Sequence, residues 1–326
     1  MDTRRILKKV FYNPRFAAIG LLGISMVWGA TFVMVADTMR QYPVFAYLGW
    51  RFFVATIAFF TIFTKPLIRS LRTLHKPSLH IALAAGVFLS LGYIFQTSGL
   101  LPAGQGGTTP ARTAFITGLY VVLVPIGQFV FRRQRPRKGV IIGVIVAMTG
   151  LWFLSGLTLS SSGGSVWVWG DSMVLICACA YTAHMLVLGK ADESYDTLLL
   201  TVIQLATVAV ICAAMSVVTR EHAGLPPTSS VWFSIVFCGV VASAFAFAIQ
   251  TWAQQVMVPA RAALILVLEP AFGGLFGWLI AGQVIWHEGV GAALMLGGMM
   301  LSELWGTHKS ATAEPSLEGP AVIIED

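Results

Sequence analysis

Charged side chains are scarce in this sequence, and acidic ones are the scarcest. Of 326 residues, 11% are Asp, Glu, Lys or Arg and only 14 are acidic, whereas soluble proteins average about 25% charged residues. Hydrophobic residues supply 57% of the chain, and the mean hydropathy is +0.80. This balance leaves no room for a sizeable soluble domain.

Cysteine is also scarce, and the signatures of common catalytic sites are missing. The four cysteines all fall inside apolar runs, which provides neither a disulfide framework nor metal-ligand spacing: they are Cys177, Cys179, Cys212 and Cys238. No phosphate-binding loop, HExxH, CxxC, GxSxG or dinucleotide fingerprint occurs. We therefore expect no metal, no cofactor and no hydrolysis of ATP.

What the chain has in abundance is apolar runs of about 20 residues, the length that crosses a bilayer as a helix. We predict an all-α integral membrane protein with ten transmembrane helices. They cover roughly residues 17–38, 44–64, 79–100, 109–131, 138–158, 166–189, 197–219, 230–252, 256–281 and 284–305.

The basic residues support this number of spans and give the chain an orientation. With the N-terminus in the cytoplasm, most of the 21 Lys and Arg residues fall on the cytoplasmic side, as the positive-inside rule requires. Outside lie only Arg40, Arg112 and Arg220, and Arg51 lies within a span. The net charge of +7 therefore reflects membrane orientation, and no nucleic-acid partner is predicted. Both termini are predicted to be cytoplasmic.

The chain divides into two related halves. The predicted divisions are a basic N-tail (1–16), a first repeat (17–158), a second repeat (166–305) and a disordered C-tail (306–326). Pro110-Ala111-Arg112 and Pro259-Ala260-Arg261 each begin an apolar run with an interior proline, Pro125 or Pro270. Because each half holds five spans, the second must be inverted, as in many secondary transporters. We predict helix breaks at Pro125 and Pro270.

The chain resembles the ten-span EamA-domain permeases of the drug/metabolite transporter superfamily over nearly its whole length. The resemblance is carried by Trp28-Gly29-Ala30-Thr31, Trp50-Arg51-Phe52, Gly92-Tyr93 to Gln96-Thr97, Phe115 to Pro125, Leu268-Glu269-Pro270 and Gly277-Trp278. It implies a multi-pass permease of the inner (plasma) membrane that is not an enzyme. The family usually ends spans four and nine with Gly-Glu, but here those positions read Arg133-Gln134 and Gly282-Gln283.

Two ionisable residues within spans are the leading site candidates. Glu269 is costly in a membrane, so it either binds a solute amine or a coupling proton, or it pins the broken helix. Arg51 either pairs with Glu269, holds helices together, or binds a solute carboxylate with its planar fork. His184 either relays protons or is a packing residue.

The remaining candidates are polar or amphipathic side chains that fit a mostly apolar cavity or, equally, helix packing. They are Trp28, Thr31, Tyr93, Gln96, Tyr120, Gln250 and Trp252. Asp171, near the start of span six, is best interpreted as an acid that stabilises the helix N-terminus.

The resemblance implies export or exchange of a small metabolite, such as an amino acid, by alternating access, with protons as a candidate coupling ion. Three alternatives stay open. One is an antiporter for nucleotide sugars or phosphorylated metabolites, which needs cationic groups in the cavity. The second is an integral-membrane enzyme acting on lipid-linked substrates, which needs clustered carboxylates or histidines. The third is a non-transporting structural or scaffold subunit, which needs no solute-accessible cavity. The oligomeric state is not predicted.

Overall fold

The computed structural model describes residues 14–72, 76–133, 135–154, 168–192, 194–221, 224–281 and 286–307. These residues are helical wherever they form regular structure. The helices are α1 (Pro14–Thr38), α2 (Val44–Ile62), α3 (Thr64–Arg72), α4 (Lys76–Gly99), α5 (Pro110–Gly118), α6 (Tyr120–Arg132), α7 (Lys138–Leu154), α8 (Trp169–Leu188), α9 (Thr197–Val218), α10 (Ser229–Gly239), α11 (Ala246–Val256), α12 (Pro259–Leu266), α13 (Glu269–Ala281) and α14 (Trp286–Thr307).

Several of these helices are long and apolar enough to cross a membrane. Within the described ranges there are seven such spans: α1, α2, α4, α8, α9, the α5–α6 run over Arg112–Phe131, and the α10–α11 run over Ser229–Val256. Lys138–Phe153 and Gly289–Leu301 are shorter apolar helices. The chain is thus an all-helical, multi-pass membrane protein, and the number ten stays a prediction. Most of the predicted tails, and all of residues 159–165 between the two predicted repeats, lie outside the described residues.

Small residues let several helix pairs approach closely. An added Cβ at Gly150 on α7 would lie 2.6 Å from the Gly291 carbonyl oxygen on α14, and one at Gly298 would lie 2.6 Å from the Gly143 carbonyl oxygen on α7. Membrane helices associate through such small-residue contacts because lipid supplies no hydrophobic driving force between them. The α7–α14 pair is therefore held by backbone contact.

Two helix pairs are interrupted at equivalent positions. Pro110 and Tyr120 begin α5 and α6, and Pro259 and Glu269, each 149 residues further on, begin α12 and α13. The repeat register read from the two Pro-Ala-Arg motifs therefore also describes where both second half-helices begin.

The predicted helix break at Pro125 is wrong in position, whereas the one at Pro270 is nearly right. Pro125 lies inside α6, and the interruption comes six residues earlier, at Leu119. Pro270 is the second residue of α13, after the turn at Val267 and Leu268. A proline there loses nothing, because the first N–H groups of a helix have no intrahelical partner.

The helix from Ser229 to Val256 contains a feature that the sequence did not predict. Residues Val240–Phe245 between α10 and α11 form a π-helical segment. Directly before it, an added Cβ at Gly239 would lie 2.7 Å from the Arg51 carbonyl oxygen on α2. Segments of this kind are frequent at functional sites, and this one faces Arg51.

Candidate functional site

A cavity lies among the helices. Its walls come from α1, α2, α4, α5, α6, α8, α11, α12 and α13. Both second half-helices contribute their first residue, Tyr120 from α6 and Glu269 from α13. The two interrupted helices therefore meet at one site.

The cavity brings together nine of the ten residues singled out from the sequence. They are Trp28, Thr31, Arg51, Tyr93, Gln96, Tyr120, His184, Gln250 and Glu269. Trp252 is the exception: it is half-buried, and its ring lies 3.5 Å from where a Cβ at Gly20 on α1 would be. Two positions after Gln250, it points about 200° away around the helix.

The sequence interpretation missed other lining side chains, including Tyr181, Thr97, Thr117 and Phe247. A signal was available for Tyr181, which precedes His184 by three residues and therefore shares its helix face. For Phe247 the same spacing holds with Gln250. Apart from this spacing, nothing in the sequence indicates whether an aromatic residue in an apolar span faces the cavity or the lipid.

Arg51 is buried, and its hydrogen-bond partners among the described residues are all neutral. Its Nε donates to Ser243 Oγ in the π-helical segment at 3.0 Å, and its terminal nitrogen donates to the Tyr93 hydroxyl at 3.3 Å. The guanidinium also lies 4.7 Å from the centre of the Tyr93 ring. Among the described residues no carboxylate forms an ion pair with it. The predicted alternative of an Arg51–Glu269 ion pair is not present in this conformation.

Glu269 is the complementary feature of the same cavity. Its side chain is half-buried and lines the space together with Arg51. No hydrogen bond or ion pair to its carboxyl group is found in the part of the chain that the structure describes. Its backbone carbonyl lies against α1, where an added Cβ at Gly29 would come within 2.5 Å. The backbone is thus fixed while the carboxyl group has no partner among the described residues.

A chain of hydrogen bonds links three walls of the cavity. The Tyr181 hydroxyl on α8 donates to Gln96 Oε1 on α4 at 3.2 Å, and Gln96 Nε2 donates to Thr117 Oγ1 on α5 at 3.3 Å. Since these groups satisfy one another, they position the walls and contribute polarity without an unpaired charge.

Aromatic rings form the apolar part of the lining. Phe247 lies 5.5 Å from Trp28, 6.0 Å from Tyr93 and 6.2 Å from His184, measured between ring centres. The Trp28 indole donates to the carbonyl oxygen of Ala242 in the π-helical segment at 2.7 Å. The segment therefore orients both Trp28 and Arg51.

His184 and Gln250 present unsatisfied acceptors. His184 Nδ1 lies 3.0 Å from the Ala85 carbonyl oxygen, and since a carbonyl only accepts, Nδ1 carries the hydrogen. The other ring nitrogen, Nε2, is buried without a partner in the described chain, as is Gln250 Oε1. Such atoms in a binding cavity are available to a donor on a solute or to water.

At the end of the cavity marked by Leu100, a buried ion pair ties a loop to α8. Asp171, fully buried, accepts hydrogen bonds from Arg112 of α5, from Thr108 Oγ1 at 2.8 Å and from the Val168 backbone at 3.0 Å. The predicted helix-stabilising acid is therefore also a tie between α8, the loop after α4, and α5.

Asp171→Asn should lower the free energy of unfolding by about 1–3 kcal/mol, because it removes the carboxylate charge that pairs with Arg112. The loss stays below the range for a fully buried pair since the Arg112 side chain is 23% exposed. Thermal unfolding in detergent measures it. The control is Asp37→Asn, at an exposed acid whose carboxylate accepts one hydrogen bond in the described chain, from Gln41 Nε2 at 3.4 Å. Equal melting temperatures for both variants would show that the tie is not stabilising.

Known transporters and a solved structure resemble this chain over most of its length. It is 28% identical over 274 residues to an uncharacterised transporter of Archaeoglobus fulgidus, covering 83% of this chain and 80% of that protein. It is 20% identical over 283 residues to the uncharacterised transporter YoaV of Bacillus subtilis, covering 87% and 93% of the two chains. One crystal structure shares the fold with a TM-score of 0.68 at 14% identity, covering 89% of this chain and 98% of the other.

The model of the EamA-like transporter family matches the sequence twice, over residues 15–156 and 168–304. The two matches together take in every element that lines the cavity. The chain therefore belongs to the EamA-like transporter family, within the drug/metabolite transporter superfamily.

Proposed function

We propose that this transporter moves a small zwitterionic metabolite, an amino acid or a related compound, through the central cavity. One observation carries the proposal: Arg51 and Glu269 line the same cavity, and within the described chain neither forms an ion pair with any residue. Ionisable groups inside a membrane need partners. A solute with one carboxylate and one ammonium group supplies both.

The Arg51 side chain is arranged to receive a carboxylate. A guanidinium has five N–H donors in a planar fork, and the contacts to Ser243 and Tyr93 use two of its nitrogens. Because both partners are neutral hydroxyls, they fix the fork without neutralising its charge. The cation is thereby pre-oriented toward the cavity.

The Glu269 carboxyl group and the surrounding rings suit the other end of such a solute. An ammonium group is attracted by a carboxylate and by the faces of Trp and Tyr rings, and Trp28, Tyr93, Tyr120 and Tyr181 all line the cavity. The same rings accommodate an apolar side chain by burial. Amino acids with apolar or aromatic side chains fit this lining best.

Transport is proposed to follow alternating access, with two inverted five-helix halves rocking about the cavity and both termini in the cytoplasm of an inner-membrane protein. The two interrupted helices, which begin in the same repeat register, support this arrangement. Export by exchange with protons is proposed, with Glu269 as the titrating group and His184 as its candidate relay.

Phosphorylated cargo is less well matched. A nucleotide sugar carries at least two negative charges near each other, and Arg51 is the one Lys or Arg among the residues that line the cavity in the described chain. A carboxyl group from Glu269 at the same cavity would repel such a solute.

A solute panel tests the proposal. Purified protein is titrated with an amino acid, the matching amine that lacks the carboxylate, and the matching acid that lacks the ammonium group, with thermal shift and calorimetry as readouts. We expect the zwitterion to bind about tenfold or more tighter than either analogue, because each analogue leaves one buried ionisable group unpaired. Equal affinities for all three compounds would overturn the proposal.

A further inference from the structure

The most unusual polar side chain outside the cavity is Gln254 on α11. It is 2% exposed, and both its Oε1 and its Nε2 are buried without a hydrogen-bond partner in the described chain. A buried amide in this condition is strongly destabilising, because it has lost its water and gained nothing in exchange.

The position of Gln254 connects it to the cavity. Gln250, one helical turn earlier on α11, lines the cavity, and residues four apart share a helix face. Gln254 therefore lies on the continuation of the cavity wall, toward the end of α11 where Pro259 begins α12. We call this end of the molecule the Pro259 side.

A closed layer separates the cavity from the Pro259 side. Beyond the lining residues Trp28, Met185 and Leu266, the next residues toward that side are buried and line no part of the cavity; they include Leu21, Ile24, Leu188, Ala262 and Ala263.

Specific contacts hold that layer together. Ser25 Oγ on α1 lies 3.3 Å from the Ile265 carbonyl oxygen on α12, and Gln128 Oε1 on α6 accepts from the Ala260 N–H at 3.1 Å. Gln254 is buried and lines no part of the cavity, so it is covered at this layer in the present conformation.

A second buried amide with an unpaired oxygen contacts α11 from the neighbouring helix α9. Gln204 on α9 is fully buried and donates to Thr251 Oγ1 at 3.3 Å, while its Oε1 has no partner among the described residues. The amide oxygens of Gln250 and Gln254 on α11 and of Gln204 beside it therefore all lack a hydrogen-bond donor among the described residues. Water would supply those donors.

Resting on the proposed transport function, we propose that Gln250 and Gln254 line the pathway from the cavity to the Pro259 side when that side opens. The amide of Gln254 is hydrated in the open state and stripped of water in the closed one. Its burial raises the free energy of the closed state alone, and a penalty on one of two states shifts their populations toward the other. Gln254 therefore favours opening of the Pro259 side. A solute that follows this path meets neutral amides and no fixed charge.

The neighbouring residue offers a matched control. Gln255 is half-buried, but its amide is satisfied: Oε1 accepts from Thr197 Oγ1 at 2.6 Å, and Nε2 donates to the Tyr195 carbonyl oxygen at 2.9 Å. Replacing each glutamine with leucine removes the same atoms from adjacent positions. The expected effects have opposite signs.

Gln254→Leu should raise the melting temperature by about 2–5 °C, because it removes the stripped amide from the closed state. It should also slow solute movement in proteoliposomes by about tenfold, while the affinity for the zwitterion stays unchanged because the cavity is intact. Gln255→Leu should lower the melting temperature by about 2–5 °C and leave the rate near that of the native chain. A higher melting temperature together with slower transport in Gln254→Leu would indicate that Gln254 destabilises the closed state.

Accessibility gives a second readout that needs no solute. In a chain without its native cysteines, Gln254→Cys should react with a charged thiol reagent from the Pro259 side, whereas Ala253→Cys, at a fully buried neighbour, should not. A Gln254→Leu variant that is destabilised, or a Gln254→Cys variant whose thiol never reacts, would overturn the inference. If the solute panel fails while these results hold, only the proposed substrate is wrong.

Discussion

Arg51→Met is expected to weaken binding of a zwitterionic solute by on the order of 100-fold or more, the loss that follows when one partner of a buried charge pair is removed. Methionine retains much of the length of the arginine stem but no charge. Glu269→Gln keeps shape and removes only the carboxylate. Each variant should lose preference for one end of the solute: Arg51→Met for the carboxylate, Glu269→Gln for the ammonium group.

The test is a crossed titration of both variants against the amino acid and its two singly charged analogues. Ser243→Ala is the matched control, since it removes the 3.0 Å contact that orients Arg51 but leaves the cation in place. We expect a loss of about tenfold or less for Ser243→Ala, the contribution of a single hydrogen bond. If Arg51→Met and Ser243→Ala behave alike, Arg51 is a structural tie and does not bind solute.

Glu269→Gln also tests proton exchange. In proteoliposomes with an imposed pH difference, the native chain should accumulate solute against its gradient, and the variant should move it only downhill. Equal accumulation by both would assign coupling to another group and would leave the binding role of Glu269 to the titration above.

Gly29→Ala should have the largest effect on stability. The new Cβ on α1 would lie 2.5 Å from the Glu269 carbonyl oxygen and 2.7 Å from the Gly273 nitrogen. Both atoms belong to the backbone of α13, so no side-chain rotation relieves the overlap and the helices must separate. We expect a loss of about 3 kcal/mol, at the upper end for overpacking, measured by thermal unfolding in detergent.

Gly23→Ala is the control on the same helix. An added Cβ at Gly23 meets nothing within 4 Å in the described chain, so the substitution should stabilise α1 by about 0.5–1 kcal/mol, since glycine has the lower helix propensity. A loss of stability at both positions would show that α1 tolerates no alanine for a reason other than contact with α13. Because α13 begins at Glu269, separation at Gly29 should also weaken solute binding.

The residues of the site were easier to predict than the boundaries of the helices. Glu269 and Arg51 stand out because an ionisable group in an apolar run demands an explanation, and the repeated Pro-Ala-Arg motif relates Glu269 to Tyr120 through the order of the amino acids alone. The prediction at Pro125 failed because a proline removes the hydrogen bond to the carbonyl one turn earlier. In α6 that turn still belongs to the same helix, so the helix does not end there. Leu119, where the interruption occurs, carries no local signal.

The features that escaped prediction depend on contacts between distant segments. The direction of Trp252 was not readable because polar residues stand on several faces of its helix, so no periodic pattern marks the face that meets the cavity. These residues are Gln250, Thr251, Gln254 and Gln255. The sequence of Val240–Phe245 also does not predict its π geometry. That geometry coincides with the close approach of Gly239 to Arg51. Gln254 and Gln255 are the same type of amino acid, and only the hydrogen-bond partners around them in the fold distinguish them.

The π-helical segment has a consequence for how this family can vary. A π turn holds an additional residue compared with an α turn, so one inserted or deleted residue separates the two geometries. Loss of a single residue between Gly239 and Ala246 would convert the segment to ordinary α-helix. The helices on either side would keep their faces, but the backbone positions inside the segment would change. Ala242 and Ser243, which orient Trp28 and Arg51, would then face elsewhere. Length variation at this point would therefore redesign the cavity without changing any residue that lines it.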